Sequence, residues 1–176
     1  MQANWRWIHA ARNSFAVLSA ACERDGFMLQ PVDCPADDVT CYSLNSVNAA
    51  AYRDEIASAD CLTVAGGPHA TACPEEVAGY ADYVVVGEGE YTLPRLLADL
   101  RDGGEGRIPG VMTGDYYRPA TTCVLPDGYP AFSEMKGYVE ITRGCPHACG
   151  YCQTPQIFGH CMRHRAIDEV ARFANR

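Results

Sequence analysis

Short apolar runs alternate with helical patterns through residues 1–105, and this alternation restricts the fold more than any other feature. Ala3–Ile8, Phe27–Val32, Asp38–Leu44, Cys61–Ala65 and Tyr83–Val86 read as strands. Cys61–Ala65 and Tyr83–Val86 are apolar without alternation, the pattern of strands covered on both faces. Between them run helical patterns. Asn13 and Ser14 offer N-cap side chains, and Phe15, Leu18 and Cys22 follow at helical spacing until Gly26. Tyr52, Ile56 and Ala59 mark a second helical face. Pro74-Glu75-Glu76 opens a third helix, with proline near its first position and acids in its first turn. Leu93, Leu96, Leu97 and Leu100 define a fourth, closed by Gly103-Gly104.

Strands separated by helices make a parallel sheet with right-handed crossovers. The pattern predicts a flavodoxin-like, doubly wound, five-stranded α/β domain over 1–105. Such sheets bind ligands outside the carboxyl ends of their strands. The candidate loops are therefore the one near His9 and those at Ser43–Asn48, Gly66–Ala70 and Gly87–Glu90. Residues 106–136 are rich in Gly and Pro and hold no sustained period, so they read as a linker. Within them Val111–Tyr117 and Ala120–Leu125 are candidate strands of a small hairpin. In 137–176, Tyr138–Thr142 alternates like a strand and Arg143-Gly144 breaks it. Ile167, Val170, Ala171 and Ala174 start a helix.

Between that strand and that helix lies Cys145-Pro-His-Ala-Cys149-Gly-Tyr-Cys152. Three thiolates in one short loop can hold three irons of a [4Fe–4S] cluster and leave the fourth iron open, whereas four-cysteine ferredoxin clusters are closed. An open metal position can take substrate or cofactor, as in catalytic zinc sites. A zinc knuckle is the structural alternative, with His147, His160 or Cys161 as its fourth ligand. The remaining cysteines among the chain's 10 show no ligand spacing and read as small apolar residues or incidental thiols. A secreted disulfide scaffold fits poorly, because this chain is longer and periodic and starts without a signal sequence. A net charge of −8 argues against a large basic nucleic-acid surface. Its apolar runs fall far short of the ~18 residues of a membrane span. A cytoplasmic location is expected.

The segment Ile141-Thr-Arg-Gly-Cys145-Pro-His-Ala-Cys149-Gly-Tyr-Cys152 resembles the cluster motif of the radical SAM superfamily. That resemblance implies a [4Fe–4S] cluster on Cys145, Cys149 and Cys152. It also implies S-adenosylmethionine on the open iron, cleaved to a 5′-deoxyadenosyl radical, with Tyr151 near the adenine. Upstream, Ala65-Gly-Gly-Pro-His-Ala70, Pro74-Glu-Glu76 and Ala81-Asp-Tyr-Val-Val-Val-Gly-Glu-Gly-Glu90 are similar to the cobalamin-binding domain that precedes many radical SAM barrels. There the loops after the third and fourth strands flank the corrinoid's nucleotide tail. This implies contacts from Ser43, Ser46 and Asn48 in one loop and from Gly66 and Gly67 in the other. Glycines allow close backbone approach to a bulky ligand, and hydroxyl and amide groups can bond its polar tail.

One departure stands out. Classical cobalamin domains carry Asp-x-His-x-x-Gly after the first strand, whose His ligates cobalt. Here the sequence is Trp7-Ile-His9-Ala-Ala-Arg12, so His9 lacks the carboxylate that would orient it. His69 reads as a loop residue, and Glu88 and Glu90 as acids that complement a helix N-terminus. Phe158 and Gly159 are placed over the cluster or at the start of the barrel core. Arg163-His164-Arg165 reads as a solvated basic loop or a contact for an anionic substrate. Only the first strand–helix unit of a radical SAM barrel is present. A fragment of a longer protein is expected; a second chain completing the barrel or a decayed gene product are the alternatives. The resemblance implies an enzyme that transfers methyl groups, using a reductant such as ferredoxin or flavodoxin. The rival readings are a methylthiotransferase and a corrinoid-binding or iron–sulfur module that does not cleave S-adenosylmethionine.

Overall fold

The computed structural model describes residues 1–120 and 140–175. Its centre is a seven-stranded sheet in the order β2-β1-β3-β4-β5-β6-β7. Strands β1 (Ala3–Arg6), β2 (Leu29–Val32), β3 (Val39–Ser43), β4 (Leu62–Gly66) and β5 (Tyr83–Val85) pair in parallel. The order 2-1-3-4-5 is that of flavodoxin-like sheets, as expected.

The pleat sorts the core into two layers. Trp5, Cys41, Val64 and Val85 face one side, beneath α1 (Arg12–Arg24) and α5 (Gly89–Arg101). Tyr42, Ala65 and Val84 face the other, beneath α2 (Ala49–Ala57), α3 (Pro68–Ala72) and α4 (Pro74–Ala78). Both faces are covered, which is why β4 and β5 lack polar alternation. Asp82 ties β4 to β5: its carboxylate accepts from the Thr63 amide and hydroxyl, each at 2.8 Å.

The sheet differs from expectation at its far edge. Val111–Thr113 (β6) pairs antiparallel with β5, and Tyr116–Tyr117 (β7) pairs antiparallel with β6. These two strands form a hairpin within Val111–Tyr117; of the other candidate strand, Ala120–Leu125, residues 121–125 lie outside the described residues. Two short strands therefore join the sheet beyond residue 105. They cover β5, which a five-stranded sheet would leave as an exposed edge.

The second part departs further. Thr142–Arg143 (β8) and Arg163–His164 (β9) form an antiparallel pair. Arg143, expected to break its strand, lies within it; Tyr138 and Val139 lie outside the described residues. In the basic run Arg163 and His164 lie in β9, and Arg165 follows it buried, so the run is not a solvated loop. Between β8 and β9 runs the cysteine loop, followed by a short helix α6 (Thr154–Phe158); α7 (Ile167–Ala174) comes last. Among the described residues no helix is long and apolar enough to cross a membrane.

Candidate functional site

A cavity of about 410 Å³ opens where the strand order reverses, at the carboxyl ends of the parallel strands. Trp5, Cys41, Val64 and Val85 form its apolar floor. Asn13, Ser14 and Val17 of α1 line one side. Gly66 at the end of β4, Gly67 after it and Gly87–Glu90 after β5 line another. The remaining wall comes from the cysteine-bearing segment: Glu140, Thr142, Arg143, Gly144, Thr154, Ile157 and Phe158. One cavity is thus enclosed by both parts of the chain.

Of the residues expected to touch a corrinoid tail, Ser43, Gly66 and Gly67 line this cavity. Ser46 and Asn48 stand outside its lining. Asn48 Oδ1 accepts from the Asn45 amide at 2.7 Å, and Asn45 Oδ1 accepts from the Val47 and Asn48 amides, each at 3.0 Å. These reciprocal bonds shape the β3–α2 turn. Gly67 also has another reason to be glycine. Its φ is 95°, and a Cβ there would stand 2.6 Å from the Leu44 carbonyl oxygen. The close approach that glycine permits is to the chain itself. His9 is exposed on a single 3-10 turn, outside the cavity lining. His69 Nε2 lies 3.7 Å from Glu76 Oε1.

The cysteine loop carries the expected donors. Cys145 and Cys152 are half-buried, Cys149 is exposed and Tyr151 is 91% exposed. The Cys145 amide donates to Gly159 O at 3.3 Å, and the Cys152 amide to Cys149 O at 3.1 Å. Hydrogen bonding from the Thr154 side chain and amide holds the Cys152 thiol below its ordinary range. The three thiols do not converge: among the described residues no three His, Cys, Asp or Glu are gathered so as to hold a metal ion. The zinc alternative gains no fourth ligand by this geometry either. The donor chemistry, three thiols in one loop, fits an iron–sulfur cluster. For the corrinoid, the fit rests on a strand-end cavity that is apolar below and polar at its rim.

Sequence reasoning missed the electrostatic link between the two parts. Arg143 Nη1 lies 3.1 Å from Glu88 Oε1 and also pairs with Glu90. Its Nε and Nη2 donate to Glu140 at 2.7 and 2.9 Å. Arg163 grips both oxygens of Glu88 at 2.6 and 2.9 Å and donates to Phe158 O at 2.8 Å. Arg165 Nη2 reaches Glu140 Oε2 at 3.0 Å. Three cations meet three anions, and the side chains of Glu88, Glu90 and Arg143 are each less than a tenth exposed. Burial alone would lower the Arg143 pKa, but its bonds to Glu140 and the charge of Glu90 outweigh that and raise it. Glu90 sits in the first turn of α5, as expected; its Arg143 partner was not legible in the sequence.

Fold and cavity together define an α/β ligand-binding domain joined to a cysteine-bearing segment. Residues 38–97 match the B12 binding domain family. Over 75% of its length the chain is 30% identical to the bacteriochlorophyllide d C-12(1)-methyltransferase of Chlorobaculum tepidum, covering 30% of that protein. Over 93% of its length it is 27% identical to the hopanoid C-3 methylase of Methylococcus capsulatus, covering 37% of it. The fold matches the radical S-adenosylmethionine methyltransferase TsrM from Kitasatospora setae, solved with tryptophan substrate and a SAM analogue. That match has a TM-score of 0.77 and 17% identity, over 98% of this chain and 44% of the other. A second structure of the same enzyme, with cobalamin and a [4Fe-4S] cluster bound, matches with a TM-score of 0.74 at 16% identity. The chain spans less than half the length of each of these proteins.

Proposed function

We propose that this chain is the N-terminal part of a cobalamin-dependent radical SAM enzyme of the methyltransferase type. The observation that carries the reading is the shared cavity: the strand ends of a B12-binding sheet form one side, and the strand leading into Cys145 forms the other. Its volume holds a nucleotide-sized group and is far too small for a whole corrinoid, which matches a tail inserted at the sheet.

Cys145, Cys149 and Cys152 are the cluster ligands in this reading, and Tyr151 lies by the adenine of S-adenosylmethionine. The Ser43 and Ser14 hydroxyls and the Asn13 amide are the polar contacts for the tail. Trp5, Val64 and Val85 exclude water beneath it. When bound, the cluster supplies the electron that cleaves S-adenosylmethionine to a 5′-deoxyadenosyl radical, and the corrinoid carries the methyl group. Residues of the chain bind, orient and shelter those groups. The reductant is a small electron carrier such as ferredoxin or flavodoxin.

Anaerobic reconstitution of the whole chain tests this. The expected result is about four irons and four sulfides per chain, a corrin absorption band, and a cluster EPR signal that changes when S-adenosylmethionine is added. A cluster signal unmoved by S-adenosylmethionine overturns the radical SAM reading and leaves a corrinoid or iron–sulfur module. Two clusters without a corrin band would make the protein a methylthiotransferase instead.

A further inference from the structure

The Glu88 carboxylate is shared by two arginines from two different strands. Arg143 is in β8, two residues before Cys145, and Arg163 is in β9, two residues after Cys161. Glu88 therefore holds both ends of the cysteine-bearing segment. The residues on either side of it are held by helices of the α/β domain. The Gly87 amide donates to Thr71 Oγ1 at 3.0 Å, and Gly89 begins α5 against Leu18, where a Cβ would lie 3.0 Å from Leu18 Cδ2. A carboxylate that is 4% exposed and bonded to two guanidinium groups is a rigid junction, because either cation would be left incompletely paired if it moved away.

We infer that Glu88 is a positioning residue that sets where the cysteine loop stands relative to the cavity at the sheet. The inference rests on the reading of that cavity as the corrinoid-tail site and of the loop as the cluster site. Its consequence is a fixed distance between two cofactors carried on different parts of the chain. Arg143 completes the junction: it also pairs with Glu90 and Glu140 and lies 5.4 Å from the centre of the Phe158 ring. Glu88 acts through Arg143 and Arg163, so its effect is on geometry and not on chemistry.

The test compares the whole wild-type chain with Glu88→Gln and Arg163→Gln, and with Glu75→Gln, an exposed acid on α4, as control. Amide hydrogen exchange without cofactors is the first measurement. Glu88→Gln is expected to speed exchange in β8 and β9 at least about tenfold, with β3 and β4 unchanged. Arg163→Gln should give a smaller change, and Glu75→Gln none. The second measurement is the dipolar coupling between cob(II)alamin and the reduced cluster in the loaded chain. Glu88→Gln should broaden the distance distribution among the molecules that carry both cofactors. Should Glu88→Gln fail to fold, the same two measurements on Arg163→Gln decide. Wild-type exchange in β8 and β9, or a wild-type distance distribution, in the variants overturns the inference. Failure of the wild-type chain itself to take up either cofactor sinks the proposed function instead, and the positioning role with it, whereas altered exchange would still establish the junction.

Discussion

A methyl group on Gly67 would stand 2.6 Å from the carbonyl oxygen of Leu44 and 2.9 Å from its amide nitrogen. The Leu44 peptide is bracketed there: its amide donates to Gly66 O at 2.8 Å, and its carbonyl accepts from the His69 amide at 3.0 Å. Neither strand end can retreat without breaking one of those bonds. Gly67→Ala is therefore expected to cost at least about 2 kcal/mol, from a left-handed φ together with a backbone clash. Gly66→Ala differs, because its Cβ would meet Val85 Cβ at an ordinary 3.6 Å. Its cost should stay below about 1 kcal/mol. Denaturant unfolding followed by circular dichroism separates the two; equal costs would contradict this account.

Removing the Arg143 cation leaves Glu88, Glu90 and Glu140 facing one another with fewer positive partners. Arg143→Met should destabilise the chain by about 3–5 kcal/mol, the range for breaking a buried ion pair from one side. Arg143→Lys should recover only part of this, since one ammonium cannot replace three guanidinium nitrogens directed at three carboxylates. Chemical denaturation of the three proteins measures the difference. A loss below about 1 kcal/mol in Arg143→Met would mean that the network behaves as an exposed one.

Thiol reactivity should divide the cysteines by burial. Burial pushes the Cys41 thiol up to about 12 and raises that of Cys22 as well. At pH 8 Cys41 then holds about one part in ten thousand as the reactive thiolate. Cys22 and Cys41 should remain unlabelled by iodoacetamide in the folded chain and label fully on unfolding. Exposed Cys34, Cys149 and Cys161 should label first. After iron–sulfur reconstitution, Cys149 should become protected together with Cys145 and Cys152, while Cys34 and Cys161 stay reactive. Mass spectrometry of the labelled peptides reads each site, and protection of Cys161 would indicate a different ligand set.

Cys61–Ala65 and Tyr83–Val86 were legible as strands because they are covered on both faces and so read as nearly unbroken apolar runs. The edge hairpin was not, because three-residue and two-residue strands beside Gly110 and Gly114 carry too little pattern to distinguish from a linker. The cysteine loop declared its donors by spacing, but not its walls. Glu88 and Arg163 are 75 residues apart, and Glu90 and Arg143 are 53 apart. Each reads alone as an ordinary surface charge, and only the fold makes them partners. The same holds for Asn13 and Ser14. Their residue types signalled helix caps, yet the cap position is Ala11, and both residues line the cavity.

That last reassignment is open to direct test. Ser14 is half-buried at the start of α1 and lines the cavity, whereas Ser46 is exposed in the β3–α2 turn and lies outside it. Ser14→Trp places an indole at the cavity wall without enlarging a core side chain, so the fold should survive. Corrin uptake should fall at least about tenfold, a loss of about 1.4 kcal/mol in binding. Iron and sulfide content should not change, because the cysteine loop is untouched. Ser46→Trp should leave both unchanged. Absorbance titration with cobalamin and iron analysis of the same samples provide the comparison. Loss of corrin binding in Ser46→Trp with retention in Ser14→Trp would move the tail to the β3–α2 turn and out of the cavity.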